Sequence, residues 1–247
     1  MRNAQKEWNQ IAAEYDKKIV RGDFFRKTIL DPALIGEMGD VNTQKILDAG
    51  CGQGYFSKVL SDLGAHVVGI DVSDSLITIA NDRYKSSNTL SFRECDMNKS
   101  LPFIDDYFDA ILSNMTFMDI EHPDVALKEF VRVGKNGGSI IVSILHPIFT
   151  SGKIYTPFIE YIKRRESSFL IKQYKKQRSL EWNIPGTTHA TTTFHRPLEY
   201  YINLFSKNIT LSHMHELTLP NTHKENGFYK MLHTIPMFLI LKGTINK

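Results

Sequence analysis

Asp48, Gly50, Gly52 and Gly54 are each separated by a single residue in Asp48-Ala49-Gly50-Cys51-Gly52-Gln53-Gly54, directly after the apolar pair Ile46-Leu47. Such spacing does its chemistry through the backbone, because glycines turn the chain sharply and admit a ligand where a Cβ would clash. From Tyr55 the chain reads as a helix whose first N–H groups face whatever lies over the turn. A second apolar run, His66 to Ile70, ends at Asp71. That is where strand–turn–helix–strand units place a carboxylate to accept from ribose hydroxyls. The combination reads as a nucleoside-ligand site. Two histidines stand where proton transfer could occur: His146 after the apolar run ending at Leu145, and His195 in Phe194-His195-Arg196-Pro197. Imidazole titrates near neutral pH and is the usual side chain for taking a proton from a hydroxyl or amine.

The nucleoside is not read as a dinucleotide. A G-x-G-x-x-G/A fingerprint needs a third small residue, but Tyr55 follows the Gly50/Gly52 pair at that place and Ser57 follows Gly52/Gly54. Asp48-x-Gly50-x-Gly52-x-Gly54 resembles instead motif I of the class I S-adenosylmethionine-dependent methyltransferases, and the resemblance runs over residues 44–146. It implies that Asp48 supports the amino-acid end of S-adenosylmethionine, that Gly50, Gly52 and Gly54 pass beneath it, and that Asp71 accepts from its ribose. Asp96, in Cys95-Asp96-Met97-Asn98, stands at a strand end equivalent to those of Asp48 and Asp71. The resemblance makes it the acceptor for the adenine amino group, with the backbone N–H of Met97 on the ring. Trp8 to Asp16 has the family's W-x-x-x-A-x-x-Y-D pattern, which implies a helix over the cofactor with Tyr15 touching it. Asn114 opens the segment that enters the site. Asn114-Met115-Thr116-Phe117 is not the N/D-P-P-Y of enzymes that methylate base or glutamine nitrogens, which counts against those targets. His146 and His195 fall in an H-P-x-F … F-H-R-P-L pair that is similar to a subgroup of small-molecule methyltransferases.

The elements that must position these residues are legible from periodicity. Trp8, Ile11, Ala12, Tyr15 and Ile19 recur at helical spacing, and Thr28 to Met38 reads as a second helix that Pro32 starts or kinks. Ser73 is an N-cap for a helix carrying Leu76, Ile77, Ala80 and Tyr84. Leu90–Cys95, Phe108–Ser113 and Ser139–Leu145 read as strands three to five, and Pro123 opens the helix between the last two. Pro197–Phe205 reads as a helix, Ile209–Leu217 as strand six, Met237–Leu241 as strand seven, and Pro220–Gly227 as a polar, mobile loop. The expected fold is α/β: a seven-stranded, mostly parallel, doubly wound sheet of the Rossmann-like methyltransferase kind, strand seven antiparallel, with an inserted cap. Residues 1–40 are expected to form lid helices and 41–149 the cofactor-binding core. The cap is expected over 150–194, and 195–247 completes the sheet.

The cap carries most of the charge asymmetry. Residues 151–193 hold eight Lys/Arg against three Glu, a net +5 that leaves the rest of the +3 chain at −2. Tyr155, Phe158, Tyr161, Phe169, Tyr174 and Trp182 interleave with these charges. A helical cap with a solvated basic face over a small-molecule acceptor is the expected arrangement, since nucleic-acid-binding stripes usually carry more net charge. Methyl transfer to a hydroxyl, O-methylation, is the expected activity, with His146 and His195 as candidate bases. The alternatives are an RNA-modifying enzyme that uses the basic cap, and a non-catalytic S-adenosylmethionine-binding protein. Cys51 and Cys95 make neither a zinc spacing nor a disulfide framework, and Asp119, Glu121 and His122 read as caps and turns, so no metal is expected. The first twenty residues lack the apolar core of a signal peptide, and Ser139–Phe149 is too short to span a bilayer. A cytoplasmic protein with no membrane contact is expected.

Overall fold

A computed structural model describes residues 3–85, 87–155, 168–207, 209–221 and 227–247. In chain order the strands are β1 Lys45–Ala49, β2 His66–Asp71, β3 Leu90–Glu94, β4 Phe108–Asn114, β5 Gly134–Leu145, β6 Gly152–Tyr155, β7 Ser168–Ile171, β8 Arg178–Trp182, β9 Thr191–His195, β10 Ile209–Leu217 and β11 Phe238–Ile245. The helices are α1 Ala4–Arg21, α2 Asp31–Met38, α3 Tyr55–Asp62, α4 Asp74–Tyr84, α5 Pro123–Val133, α6 Pro147–Ser151, α7 Leu198–Phe205 and α8 Gly227–Leu232.

Seven strands form one sheet in the order β10-β11-β5-β4-β1-β2-β3. Parallel pairing runs from β5 through β4, β1 and β2 to β3, and β11 lies antiparallel to both β5 and β10. The side-chain alternation of strands splits the core between two faces. Leu47, Ile111, Ile140, Val142, Leu239 and Leu241 pack on one face with Phe130 and Phe205. Their neighbours Ile46, Ala110, Leu112, Ile141 and Ile240 pack on the other with Leu34, Phe56 and Leu60. Burying each large side chain contributes about 1.5–3 kcal/mol, so either face is costly to make polar. Strand order reverses between β1 and β4. Open α/β sheets bind ligands in the crevice that this reversal leaves at the carboxyl ends of the strands.

Three elements differ from the sequence reading. The second helix begins as a π-helical turn, Arg26–Leu30, and continues as α2 with Pro32 in its first turn. Proline has no N–H to give to a helical ladder, and the wide turn closes with the Asp31 N–H on the Arg26 carbonyl. The described parts of the cap are strand pairs rather than helices: β6 with β7, and β8 with β9, both antiparallel. Thr191-Thr192-Thr193 is β-branched, and burial alternates along both β8 and β9, which suits a ribbon with one face covered. Strand five begins at Gly134, ahead of the expected Ser139, with a shift of register against β4. Phe158, Tyr161, the run Lys163-Arg164-Arg165 and most of the expected mobile loop lie outside the described residues. Among the described residues no helix is long and apolar enough to cross a membrane.

Candidate functional site

The glycine turn closes on its neighbours rather than hanging free. Gly50, Gly52 and Gly54 all have positive φ, at 87°, 56° and 81°. A Cβ on Gly50 would lie 2.3 Å from the Thr116 side chain, whose hydroxyl donates to the Gly50 carbonyl at 3.2 Å. Gly52 is different: a Cβ there meets only the Tyr15 ring, at 3.7 Å, and points into a cavity. Gly54 caps the start of α3 and leaves room for Phe92.

That cavity is walled by Tyr15, Asp48, Gly50, Gly52, Asp71, Met97 and Asn114 among the expected cofactor residues. Asp71 accepts the Gly52 N–H on Oδ2 and the Ser73 N–H on Oδ1, both at 2.9 Å, so one carboxylate fixes the glycine turn and the start of α4. Burial pushes its carboxyl up, against the Ser73, Gly52 and Val72 amides. Asp48 is 1% exposed and accepts from Ser57 Oγ at 2.6 Å. Burial raises its carboxyl to about 6, partly countered by the Ser57 bond and the Arg26 charge. Asn114 accepts from Ser143 Oγ at 2.8 Å, and the next residue, Met115, takes a positive φ of 57°.

Gly54 and Asp96 stand off the cavity wall. Asp96 accepts from the backbone and side chain of Asn98, at 2.9 and 3.0 Å, and pairs with Lys99 at 3.4 Å. Burial raises its carboxyl, but these donors outweigh burial and hold it below the usual range. Met97, next to it, is on the wall.

Sequence reasoning missed Arg26 and Gln53, which share this wall with Trp8 of the expected lid helix and Thr116 of the segment expected to enter the site. Arg26 is delivered by the π-helical turn and donates to the Tyr15 hydroxyl at 3.4 Å. Arg26 Nε, buried, meets no hydrogen-bond partner among the described residues but pairs with Asp31 Oδ1 at 3.9 Å, whereas buried Gln53 Nε2 has neither. Buried donors are normally satisfied, so Gln53 marks where an acceptor-bearing ligand fits. No sequence signal ties Arg26 to the glycine turn.

A second cavity, of about 260 Å³, shares Trp8, Tyr15, Arg26 and Met115 with the first. Its other walls are mostly apolar, including Ile19, Phe25, Met118, Leu145, Trp182 and Ile184. The polar exceptions include the Lys18–Asp23 ion pair at 2.6 Å and Asp119. Asp119 closes a 3₁₀ turn, Phe117–Asp119, beyond the carboxyl end of β4.

Neither expected base is on either wall. His146 is 2% exposed; its Nδ1 accepts the Ile148 N–H at 3.2 Å and its Nε2 donates to Glu216 at 2.8 Å. His195 is fully buried; its Nε2 donates to the Tyr174 carbonyl and its Nδ1 meets the Thr150 hydroxyl, both at 2.7 Å. Burial holds both imidazoles below their ordinary range, against the Glu216 and Tyr174 bonds respectively. A base needs a lone pair within reach of the proton it takes; neither ring lines a cavity, and in His146 the Nδ1 lone pair already accepts the Ile148 N–H.

Residues 47–142 match the family described as a methyltransferase domain. The chain carries a class I S-adenosylmethionine-dependent methyltransferase domain. It is 29% identical over 162 residues to a demethylmenaquinone methyltransferase of Tropheryma whipplei strain Twist, across 65% of this chain and 67% of that protein. It is 35% identical over 112 residues to a malonyl-(acyl-carrier protein) O-methyltransferase of Hamiltonella defensa, across 45% of this chain and 42% of that one. The crystal structure of an S-adenosylmethionine-dependent methyltransferase from Mesorhizobium loti shares the fold, with a TM-score of 0.72 at 22% identity over 86% of this chain and 96% of that chain. The methyltransferase's cofactor is S-adenosylmethionine, and the cavity fits it: the unpartnered Gln53 amide, the buried carboxylates of Asp48 and Asp71, and a glycine whose Cβ would fill the space.

One prediction follows from the turn. Gly52→Val should leave the protein soluble but abolish measurable S-adenosylmethionine binding, because a branched side chain both enters the cavity and strains a positive φ. Isothermal titration tests it. Normal binding by a folded variant would make the turn purely structural.

Proposed function

We propose that this methyltransferase methylates a small, apolar acceptor bearing a hydroxyl. The supporting observation is the apolar cavity that shares Trp8, Tyr15, Arg26 and Met115 with the cofactor cavity and is walled on its far side by Trp182 of the cap. Small-molecule sites are mostly apolar clefts with a few placed polar groups, and this cavity has that make-up at a size suited to a ring. In this reading residues 1–40 are the lid, 41–149 hold the cofactor, 150–194 cap the acceptor and 195–247 complete the sheet. The relatives named for quinone and acyl-carrier substrates support a non-nucleic-acid acceptor, and the name of one of them supports oxygen as the attacked atom. The unpaired Cys51 and Cys95 support a reducing, cytoplasmic setting.

Asp71 would hold the ribose hydroxyls, while Asp48 takes the ammonium and Arg26 and Gln53 the carboxylate of the amino-acid end. Met97 would flank the adenine, with Asp96 beside it. Bound there, S-adenosylmethionine supplies a methyl group on a sulfonium, which leaves the electron pair of the broken bond on sulfur. Trp8, Tyr15 and Met115, common to both cavities, hold the acceptor oxygen in line with that methyl, and such positioning can supply most of the rate. Asp119, a carboxylate on the acceptor wall, faces the hydroxyl in this reading and takes the proton it loses as the O–CH3 bond forms. In this reading His146 ties the start of α6 to β10, His195 ties Thr150 to Tyr174 within the cap, and neither faces the acceptor.

The test separates a small acceptor from RNA. Incubation with labelled S-adenosylmethionine and a metabolite extract, followed by mass spectrometry, should yield a methylated small molecule. With that acceptor, Trp182→Ala should raise KM roughly tenfold while cofactor affinity holds. Charge reversal at Lys172, Lys175 and Lys176 should change turnover less than about twofold, because these side chains line neither cavity. Larger losses from charge reversal than from Trp182→Ala, with steep salt dependence, would move the acceptor to RNA.

A further inference from the structure

Helix α1 repeats a triplet after seven residues: Glu7-Trp8-Asn9 and Glu14-Tyr15-Asp16. Seven residues are close to two helical turns, so each pair shares a face, and successive residues point about 100° apart. The three faces meet three different parts of the protein. Trp8 and Tyr15, edge to face at 5.5 Å between ring centroids, wall both cavities. Asn9 and Asp16 hold the core: Asn9 accepts from Ser73 Oγ at 2.6 Å and donates to Asp74, and Asp16 takes both Arg83 Nη groups at 2.7 Å.

Glu7 and Glu14 hold the cap. The Glu7 carboxylate accepts the Thr192 N–H at 2.9 Å and its hydroxyl at 3.0 Å. The Glu14 carboxylate accepts the Thr188 N–H at 2.8 Å and its hydroxyl at 3.0 Å. Each glutamate thus seizes one threonine by two charge-assisted bonds, the stronger kind of hydrogen bond. Thr188 and Thr192 lie within the stretch of cap, residues 184–193, that supplies Ile184, Pro185, Thr191 and Thr193 to the acceptor wall. Neither glutamate lines a cavity.

We propose that Glu7 and Glu14 are positioning residues for the acceptor: they clamp the cap onto the lid helix, setting the far wall of the acceptor cavity opposite Trp8 and Tyr15, and this clamp opens independently of the Asn9/Asp16 hold on the core. The inference rests on the reading of the apolar cavity as the acceptor site. Its physical basis is that the two holds use different faces of α1 and share no side chain. An acceptor then enters and leaves past an opened cap while α1 stays seated over the cofactor. The order of the three faces makes this possible, because the aromatic face lies between the other two along the sequence and belongs to both cavities.

The test compares E7A/E14A with N9A/D16A. The probe is S-adenosylhomocysteine, the demethylated cofactor, followed by titration and by tryptophan fluorescence, since both of the protein's two tryptophans, Trp8 and Trp182, wall the acceptor cavity. Amide hydrogen exchange over residues 183–193 is measured alongside. The clamp predicts that E7A/E14A speeds exchange over 183–193 roughly tenfold or more while the probe's Kd moves less than about threefold. N9A/D16A should instead raise that Kd roughly tenfold or more. E7Q/E14Q, which keeps one acceptor oxygen at each position, should fall between wild type and E7A/E14A in exchange. If the double alanine variant does not fold, E14A alone is read in the same way at Thr188. Unchanged exchange in 183–193 overturns the clamp, and so does a loss of affinity in E7A/E14A equal to that in N9A/D16A. A wild-type protein that fails to bind the probe refutes the cofactor site instead, while the exchange measurement still decides the clamp.

Discussion

Asp71→Ala should raise the Kd for S-adenosylmethionine by about a hundredfold or more. This carboxylate lies on the cavity wall, with its Oδ2 on the Gly52 N–H and its Oδ1 on the Ser73 N–H at 2.9 Å, and a carboxylate has about four acceptor sites to share between these amides and ligand hydroxyls. A hydrogen bond to a charged group is worth about 1.5–3 kcal/mol, so losing two gives roughly 3 kcal/mol at least. The same change frees the Gly52 amide and loosens the turn beneath the cofactor, which adds to the loss. Stability should suffer less than affinity. Burial already raises this carboxyl's pKa, so its charge is costly to the folded chain and removing it relieves that cost. Titration calorimetry measures the affinity and a thermal melt the stability. Asp71→Asn, which keeps one acceptor oxygen, should fall between wild type and alanine. An unchanged Kd for Asp71→Ala would place this residue outside the site.

The residues that were legible in the sequence are those whose chemistry is local. A glycine turn between two apolar runs, with an acid at each strand end, needs only a few consecutive residues to be recognised, and Asp48, Gly50, Gly52 and Asp71 stand together in the structure. The sheet was legible for a related reason: apolar runs such as Ile140-Ile141-Val142 suit strands covered on both faces. Contacts made across the chain were not legible. Arg26 reaches the cavity from a wide turn just before α2, and nothing in its spacing from Asp48 reveals this. The histidines show the converse. A strand-end His reads alike whether its ring faces substrate or core, and the partners that occupy these rings, Glu216 and the Tyr174 carbonyl, lie 70 and 21 residues away. The cap misled through its charges, which suggested helical faces, while its β-branched threonines set the backbone of β9.

S-adenosylmethionine binding should weaken as the pH falls through about 6, and Asp48 should be the group responsible. Its carboxyl is pushed up from 3.8 to about 6, first by burial, so at neutral pH the folded chain carries a charge that it holds reluctantly. A shift of this size corresponds to about 3 kcal/mol. Because the folded value lies above the unfolded one, the contribution to stability is full below 3.8 and is lost as pH rises through about 6. A cofactor ammonium beside the carboxylate reverses this, since it favours the ionised form and recovers the lost stability on binding. The thermal shift produced by the cofactor should therefore grow from pH 5 to pH 7, and affinity should fall by up to about tenfold per pH unit below 6. Burial raises Asp71 in the same direction, so the wild-type profile alone does not isolate Asp48. His146 and His195 are lowered, which destabilises the folded chain as pH falls and opposes the Asp48 trend in melting curves. Affinity is the cleaner readout, because neither histidine lines the cavity. Asp48→Asn keeps the shape and removes the titration, so its binding should be weaker at pH 7 and much flatter between pH 5 and 7. A variant whose profile still tracks wild type would assign the proton to another group and leave Asp48 with a packing role only.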